Sequence, residues 1–113
     1  MSVITTHVLD VTVGRPVEGL SVRLDVFTDD GSFLTLAEHT TNAEGRVPSL
    51  LPRGAVEART YRLTFETGAY FASVDRHAFY PWVEIVFRVA YPEQTHHVPL
   101  FLGPFGYSTY RDG

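Results

Sequence analysis

Apolar and polar residues alternate along much of the chain with a period of two, which is the spacing that sends successive side chains of a β-strand to opposite faces. The clearest runs predict strands over 20–26, 61–66, 83–89 and 95–102, and weaker runs predict strands over 3–10, 33–40 and 105–111. Turn residues separate these runs. Residues 29–32 predict a hairpin, and Gly45, three positions after Asn42, predicts a turn with a positive φ.

Only residues 68–76 have spacing that favours a helix, with Thr67 in position to cap its start. Seven or eight short strands separated by turns predict an all-β fold, a two-sheet antiparallel β-sandwich with one short helix. A closed barrel is the alternative. Because the length of 113 residues is typical of one domain, we expect residues 1–113 to form a single domain. The strands at 3–10 and 95–102 place polar or histidine side chains on the face that should point away from the core.

Composition narrows the possible partners. The chain has no cysteine, which excludes disulfides, thiolate metal sites and cysteine nucleophiles. Its net charge of −4 offers no basic patch for nucleic acid. No apolar run approaches the roughly 18 residues of a membrane span, and the N-terminal residues lack a positively charged leader. We therefore expect a cytoplasmic protein that binds neither nucleic acid nor membrane.

Five histidines are the first candidates for chemistry. For His39 and His77 we expect a solvated role. His96 and His97 are neighbours on a predicted strand and point to opposite faces, so they cannot bind one metal ion together, and we predict no metal site. His96 faces the core edge and His97 faces outward. If His7 lies on the same outward face, two imidazoles could divide base and acid work.

Two other features carry less weight. The aromatic run at residues 79–82 favours packing at the end of the sandwich over lining a ligand pocket, since large aromatic side chains usually supply core area. The chain has neither a nucleophile elbow nor a glycine-rich phosphate loop, so covalent catalysis has no support in the sequence.

Several motifs in order resemble those of the 5-hydroxyisourate hydrolases, also called transthyretin-related proteins. The motifs are ITTHVLD at 4–10 with GRP at 14–16, TNAEGR at 41–46, FYP at 79–81 with VEI at 83–85, HHVPL at 96–100 and PFGYSTYR at 104–111. The resemblance implies a transthyretin-like sandwich of two four-stranded sheets with a short helix. It also implies a homotetramer whose active sites lie in a channel between dimers.

The implied reaction is the hydrolytic ring opening of 5-hydroxyisourate to 2-oxo-4-hydroxy-4-carboxy-5-ureidoimidazoline, without a metal or organic cofactor. Carried over by position, the resemblance implies catalytic roles for His7, Arg46 and His97 and substrate contacts for Tyr110 and Arg111.

The chain departs from this family at its end, where the family pattern Tyr-Arg-Gly-Ser is replaced by Tyr-Arg followed by Asp112 and Gly113. The alternative function is therefore a transthyretin-like protein that binds a small ligand with weak or no hydrolase activity, and a purely structural sandwich is a third possibility. A carrier of apolar ligands gains nothing from partly desolvated His7, Arg46 and His97, so these residues favour the hydrolase.

Overall fold

The computed structural model describes residues 3–112 and folds them into nine strands and one helix. In chain order they are β1 (Ile4–Asp10), β2 (Arg15–Pro16), β3 (Ser21–Phe27), β4 (Phe33–Thr40), β5 (Arg46–Val47), β6 (Thr60–Phe65), α1 (Thr67–Ser73), β7 (Val83–Arg88), β8 (His96–Gly103) and β9 (Gly106–Thr109). All seven predicted strands are present, with ends shifted by at most two residues. The two-residue strands β2 and β5 are additions that alternation did not indicate.

The strands form two sheets, which confirms the predicted sandwich. One sheet has the order β2-β1-β8-β9, with β5 also paired to β1, and the other has the order β4-β3-β6-β7. Two details differ from expectation. Strands β1 and β8 pair in parallel, whereas the other pairs are antiparallel. The first sheet has five strands within the described residues rather than four, because β5 adds to β1.

The core lies between the inward faces of the two sheets. Alternate residues of β1 are buried along its whole length, and Val8 on β1 joins Leu24 and Leu63 of the other sheet and Leu100 of β8 in one apolar cluster. Each of these four side chains is fully buried. A slip of one residue in β1 or β8 would turn its apolar side chains to solvent, so burial fixes the register and, with it, the positions that face outward.

The helix crosses from β6 towards β7 and is anchored by the buried Phe71. It begins at Thr67, one residue earlier than predicted, and the predicted cap by Thr67 is wrong. The residue at the cap position is Glu66, and no side chain of residues 3–112 makes a capping hydrogen bond there. Thr67 is instead buried in the first turn.

The aromatic run between the helix and β7 also differs from the prediction. Phe79 is 65% exposed and Trp82 is 51% exposed, so the expected packing at the end of the sandwich is wrong. Phe79 and Tyr80 contact each other edge to face on the surface, and Tyr80 contacts Tyr107 in the same way. Within residues 3–112, helices long and apolar enough to cross a membrane are absent.

Candidate functional site

The outward face of the β1–β8 pair brings the first two candidate residues together. Alternation leaves Thr5 and His7 partly exposed on β1 and His97 partly exposed on β8, while their neighbours point into the core. In the parallel register Thr5 lies opposite His97, and His7 lies opposite Pro99 two positions further along. The two imidazoles therefore occupy neighbouring rows of one sheet face.

Arg46 reaches the same face through a tight turn. The Asn42 side-chain oxygen accepts hydrogen bonds from the backbone N–H groups of Glu44 and Arg46, both at 3.0 Å, which fixes the loop before β5. Gly45 adopts the predicted positive φ, at +75°. Strand β5 then pairs antiparallel with β1 so that Arg46 lies directly opposite His7. Directly opposed residues share a face, so the Arg46 side chain lies beside the His7 imidazole.

The electrostatic surroundings favour neutral imidazoles. Burial lowers the pKa of His7, and the Arg46 guanidinium lowers it further, against smaller opposing contributions from Glu44. Burial also lowers the pKa of His97, where the Asp112 carboxylate opposes it while Arg46 and His7 add to it. Because these surroundings lower both pKa values from the ordinary histidine value, they favour the neutral form of both imidazoles at pH 7.

His97 has polar neighbours on both sides within the sheet. The Thr5 hydroxyl oxygen lies 2.7 Å from His97 Nδ1, which is a short hydrogen bond between adjacent strands. On the other side, the backbone N–H of Asp112 donates to the His97 carbonyl oxygen at 3.2 Å, as part of an isolated antiparallel bridge. The tail thus runs alongside β8 as far as the imidazole.

The two predicted substrate-contact residues, Tyr110 and Arg111, make different contacts within the protein. The ring of Tyr110 stacks on that of Phe101, with centroids 5.9 Å apart and planes 6° apart. Because Phe101 alternates with the inward-facing Leu100, this ring belongs to the outward face that carries His97. Arg111 lines one groove with His97 and Tyr110, and its Nη2 donates to the Gln94 side-chain oxygen at 2.8 Å. The tail residue Gly113 lies outside the described residues.

His96 occupies the other side of β8, as predicted for a residue at the core edge. It is 4% exposed and lines a groove of about 290 Å³ between β7 and the C-terminal tail, together with Phe87 and Arg111. Burial, followed by the positive charge of Arg111, lowers the pKa of His96. His97 also lines this groove, and the alternating burial at the start of β8 places the two adjacent side chains on opposite faces. Groups of three or more side chains suited to holding a metal ion are absent from residues 3–112.

Chemically, the outward face combines two neutral imidazoles with a guanidinium. A neutral imidazole can accept a proton from water, and a guanidinium can stabilise negative charge on a carbonyl oxygen under attack. The contact of Thr5 with His97 was missed in the sequence, because alternation reveals which face a residue occupies but not which residue of a distant strand lies beside it.

Comparisons with known proteins agree on one family over nearly the whole chain. The model of the HIUase/Transthyretin family matches residues 4–112. The 5-hydroxyisourate hydrolase of Mus musculus is 40% identical over 97% of this chain and 94% of its own length. The 5-hydroxyisourate hydrolase 2 of Rhizobium meliloti is 43% identical over 96% of this chain and 93% of its own length.

Solved structures similar to this chain include a hydrolase and a transthyretin. The 5-hydroxyisourate hydrolase of Klebsiella pneumoniae has a TM-score of 0.85 and 35% identity, covering 98% of this chain and 99% of its own. Sea bream transthyretin in complex with thyroxine has a TM-score of 0.91 and 28% identity, covering 96% of this chain and 93% of its own. The match of the family model to nearly every residue and the identity to full-length relatives agree, and the chain belongs to the HIUase/transthyretin family.

Proposed function

We propose that this protein hydrolyses 5-hydroxyisourate, opening its ring to give 2-oxo-4-hydroxy-4-carboxy-5-ureidoimidazoline. The observation that carries the proposal is the convergence of His7, Arg46 and His97 on one outward sheet face. The relatives that carry the name 5-hydroxyisourate hydrolase over nearly the full length of this chain support it. The fold does not decide between hydrolase and carrier, because sea bream transthyretin has the same fold.

In the proposed mechanism His97, assisted by His7, deprotonates a water molecule as its oxygen attacks the ring carbonyl carbon. A new C–O bond forms, the carbonyl oxygen becomes an oxyanion, and Arg46 stabilises that charge with its forked N–H donors. The C–N bond of the ring then breaks as the protonated imidazole returns its proton to the leaving nitrogen. A positioned general base of this kind typically contributes about 10²–10⁴-fold to the rate.

Substrate binding would extend from this centre to the C-terminal tail. Tyr110 lies on the same face, and its ring would flank the heterocycle of the substrate. Arg111 would have to exchange its hydrogen bond with Gln94 for one with the substrate before its guanidinium could contribute. This requirement makes Arg111 the least prepared of the five candidate residues.

We further propose that residues 1–113 act as one domain in the cytoplasm and assemble into a homotetramer, with the active sites at the boundary between dimers. An outward sheet face bearing partly desolvated polar groups fits a boundary between copies better than an open surface. Size-exclusion chromatography with light scattering should give a mass of four times 12.7 kDa. A monomer that retains full activity would contradict the shared site.

The activity can be tested by producing 5-hydroxyisourate from urate with urate oxidase and following its ultraviolet decay. The wild-type protein should accelerate the decay, and His97→Asn should lower kcat/KM by at least about tenfold because the general base is lost. His77→Asn is the matched control, since His77 is exposed in the loop after the helix. The proposal fails if the wild-type protein does not change the decay. In that case tight binding of thyroxine would favour the carrier function.

A further inference from the structure

One hydrogen bond of the proposed base has no role in the mechanism above. It joins the Thr5 hydroxyl to the His97 imidazole. Thr5 Oγ1 lies 2.7 Å from His97 Nδ1, and the parallel register places the two residues directly opposite each other. The next residue, Thr6, shows what a structural threonine does here. Its buried hydroxyl donates to the backbone carbonyl of Val98 at 2.6 Å, on the inner side of the sheet. The Thr5 hydroxyl is on the outer side and is bonded to a side chain instead.

The chemistry of a histidine base determines which partner donates in this hydrogen bond. Neutral imidazole carries one proton, and a ring that accepts a second proton at Nε2 must already hold the first at Nδ1. After the transfer both nitrogens are donors, so a hydroxyl oxygen that accepts from Nδ1–H keeps its hydrogen bond before and after the step. A hydroxyl that donated to Nδ1 would lose its bond when the ring is protonated.

We propose that Thr5 is a positioning residue that accepts a hydrogen bond from Nδ1–H of His97, holding the neutral ring in the tautomer whose Nε2 lone pair faces the attacking water. This inference rests on the proposed hydrolase function. Thr5 thereby has the role of the third residue of a hydrolytic triad, which orients the histidine base and selects its tautomer. Because threonine is uncharged, it orients the ring while stabilising the imidazolium charge much less than a carboxylate would.

The charges that face His97 come from other elements. Asp112 of the tail lies across from it, Arg46 of β5 is nearby, and His7 is on the same face of β1. These groups determine the pKa of His97. The hydroxyl of Thr5 determines which ring nitrogen carries the proton of the neutral imidazole. The two contributions can therefore be separated by experiment.

Three variants test the positioning role. Thr5→Val keeps the branched shape and removes the hydroxyl, and it should lower kcat about tenfold with KM within about twofold of the wild-type value, since orientation acts on the chemical step. Thr5→Ser retains the hydroxyl and should stay within about threefold of the wild-type kcat. Thr40→Val, at an exposed position of β4 in the other sheet, is the matched control and should change neither constant. Similar losses of kcat for valine and serine, or a loss of Thr5→Val that appears in KM and not in kcat, would overturn the proposal.

A second measurement does not depend on turnover. Nitrogen-15 labelling of the histidine rings, with His97→Asn to assign the resonance, reports which nitrogen of His97 carries the proton. The wild-type protein should show Nδ1–H, and Thr5→Val should shift the ring towards a mixture of tautomers. A wild-type ring with its proton on Nε2 would overturn the proposal even if the enzyme is active. If the wild-type protein does not hydrolyse the substrate, the hydrolase function fails on that result alone, and the tautomer still decides the role of Thr5.

Discussion

The turn that carries Arg46 depends on a glycine, and replacing it should damage both stability and the site. Gly45 has φ +75°, and a Cβ added there would lie 2.5 Å from the Val8 carbonyl oxygen and 3.1 Å from the Val17 nitrogen. Neither atom is free to move, because Val17 N–H donates to that carbonyl oxygen at 3.0 Å. In addition, Val8 N–H donates to the Gly45 carbonyl oxygen at 2.8 Å.

The expected cost of Gly45→Ala has two parts. The left-handed backbone conformation costs an alanine about 1–2 kcal/mol. Separating the turn from β1 to relieve the contact weakens two backbone hydrogen bonds, each contributing about 0.5–1.5 kcal/mol. The variant should therefore lose about 2–4 kcal/mol of unfolding free energy. Gly31→Ala is the matched control, because Gly31 has φ +85° and its added Cβ would meet no described atom within 4 Å. It should lose only the first part.

Urea denaturation at one fixed protein concentration measures both losses, since association would otherwise shift the transitions. The ultraviolet decay of 5-hydroxyisourate, measured at a temperature where each variant is folded, should show reduced kcat/KM for Gly45→Ala alone, because Arg46 moves with the turn. Equal loss of unfolding free energy in the two variants would refute the clash with Val8. Unchanged kcat/KM in a folded Gly45→Ala protein would refute the dependence of the site on this turn.

Three further predictions concern charged residues of the site and of the fold. Arg46→Lys should lower kcat/KM about tenfold or more in the decay assay, because a single ammonium replaces paired donors at the oxyanion. The acid limb of the pH profile of kcat/KM should lie below about pH 6.5, since burial lowers the pKa of His97, and Asp112→Asn should move it to lower pH by removing a carboxylate that raises this pKa. Burial alone would raise the pKa of Asp10, but hydrogen bonds from Arg76 and Tyr70 lower it below the ordinary carboxyl value. The Asp10–Arg76 pair therefore stabilises the fold above the ordinary carboxyl pKa, and this stabilisation is lost as the pH falls through the lowered pKa of Asp10. Arg76→Met should cost about 2 kcal/mol or more in urea denaturation at pH 7, and a loss near zero would contradict the importance of this pair.

Alternation predicted the strands because strand periodicity is a local property of the chain. It also separated His96 from His97 correctly, since neighbouring residues on a regular strand face opposite sides. The positive φ at Gly45 was predictable for a similar reason, as it depends only on the four residues of its turn. These features need no knowledge of what lies across the sheet.

Features that depend on long-range pairing were not predictable in this way. The parallel register of β1 with β8 joins residues 92 positions apart, and it brings Thr5 to His97. Strand β5 is two residues long and exists only because β1 offers it an edge. The aromatic residues at 79 and 82 are exposed while the core consists of other side chains, so their size gave a misleading indication of burial.

The two solved relatives show why a statement about chemistry must rest on the outward positions. The chain superposes as well on sea bream transthyretin, at a TM-score of 0.91, as on the Klebsiella hydrolase, at 0.85. Inward residues such as Val8 and Leu100 specify this backbone through burial, whereas His7 and His97 alternate with them and lie outside the apolar cluster. Changes at the outward positions therefore leave the main source of folding free energy intact while they alter the site. One backbone can thus belong to a transthyretin or to a hydrolase, and the proposed mechanism assigns the difference to side chains on the outward face of the sheet.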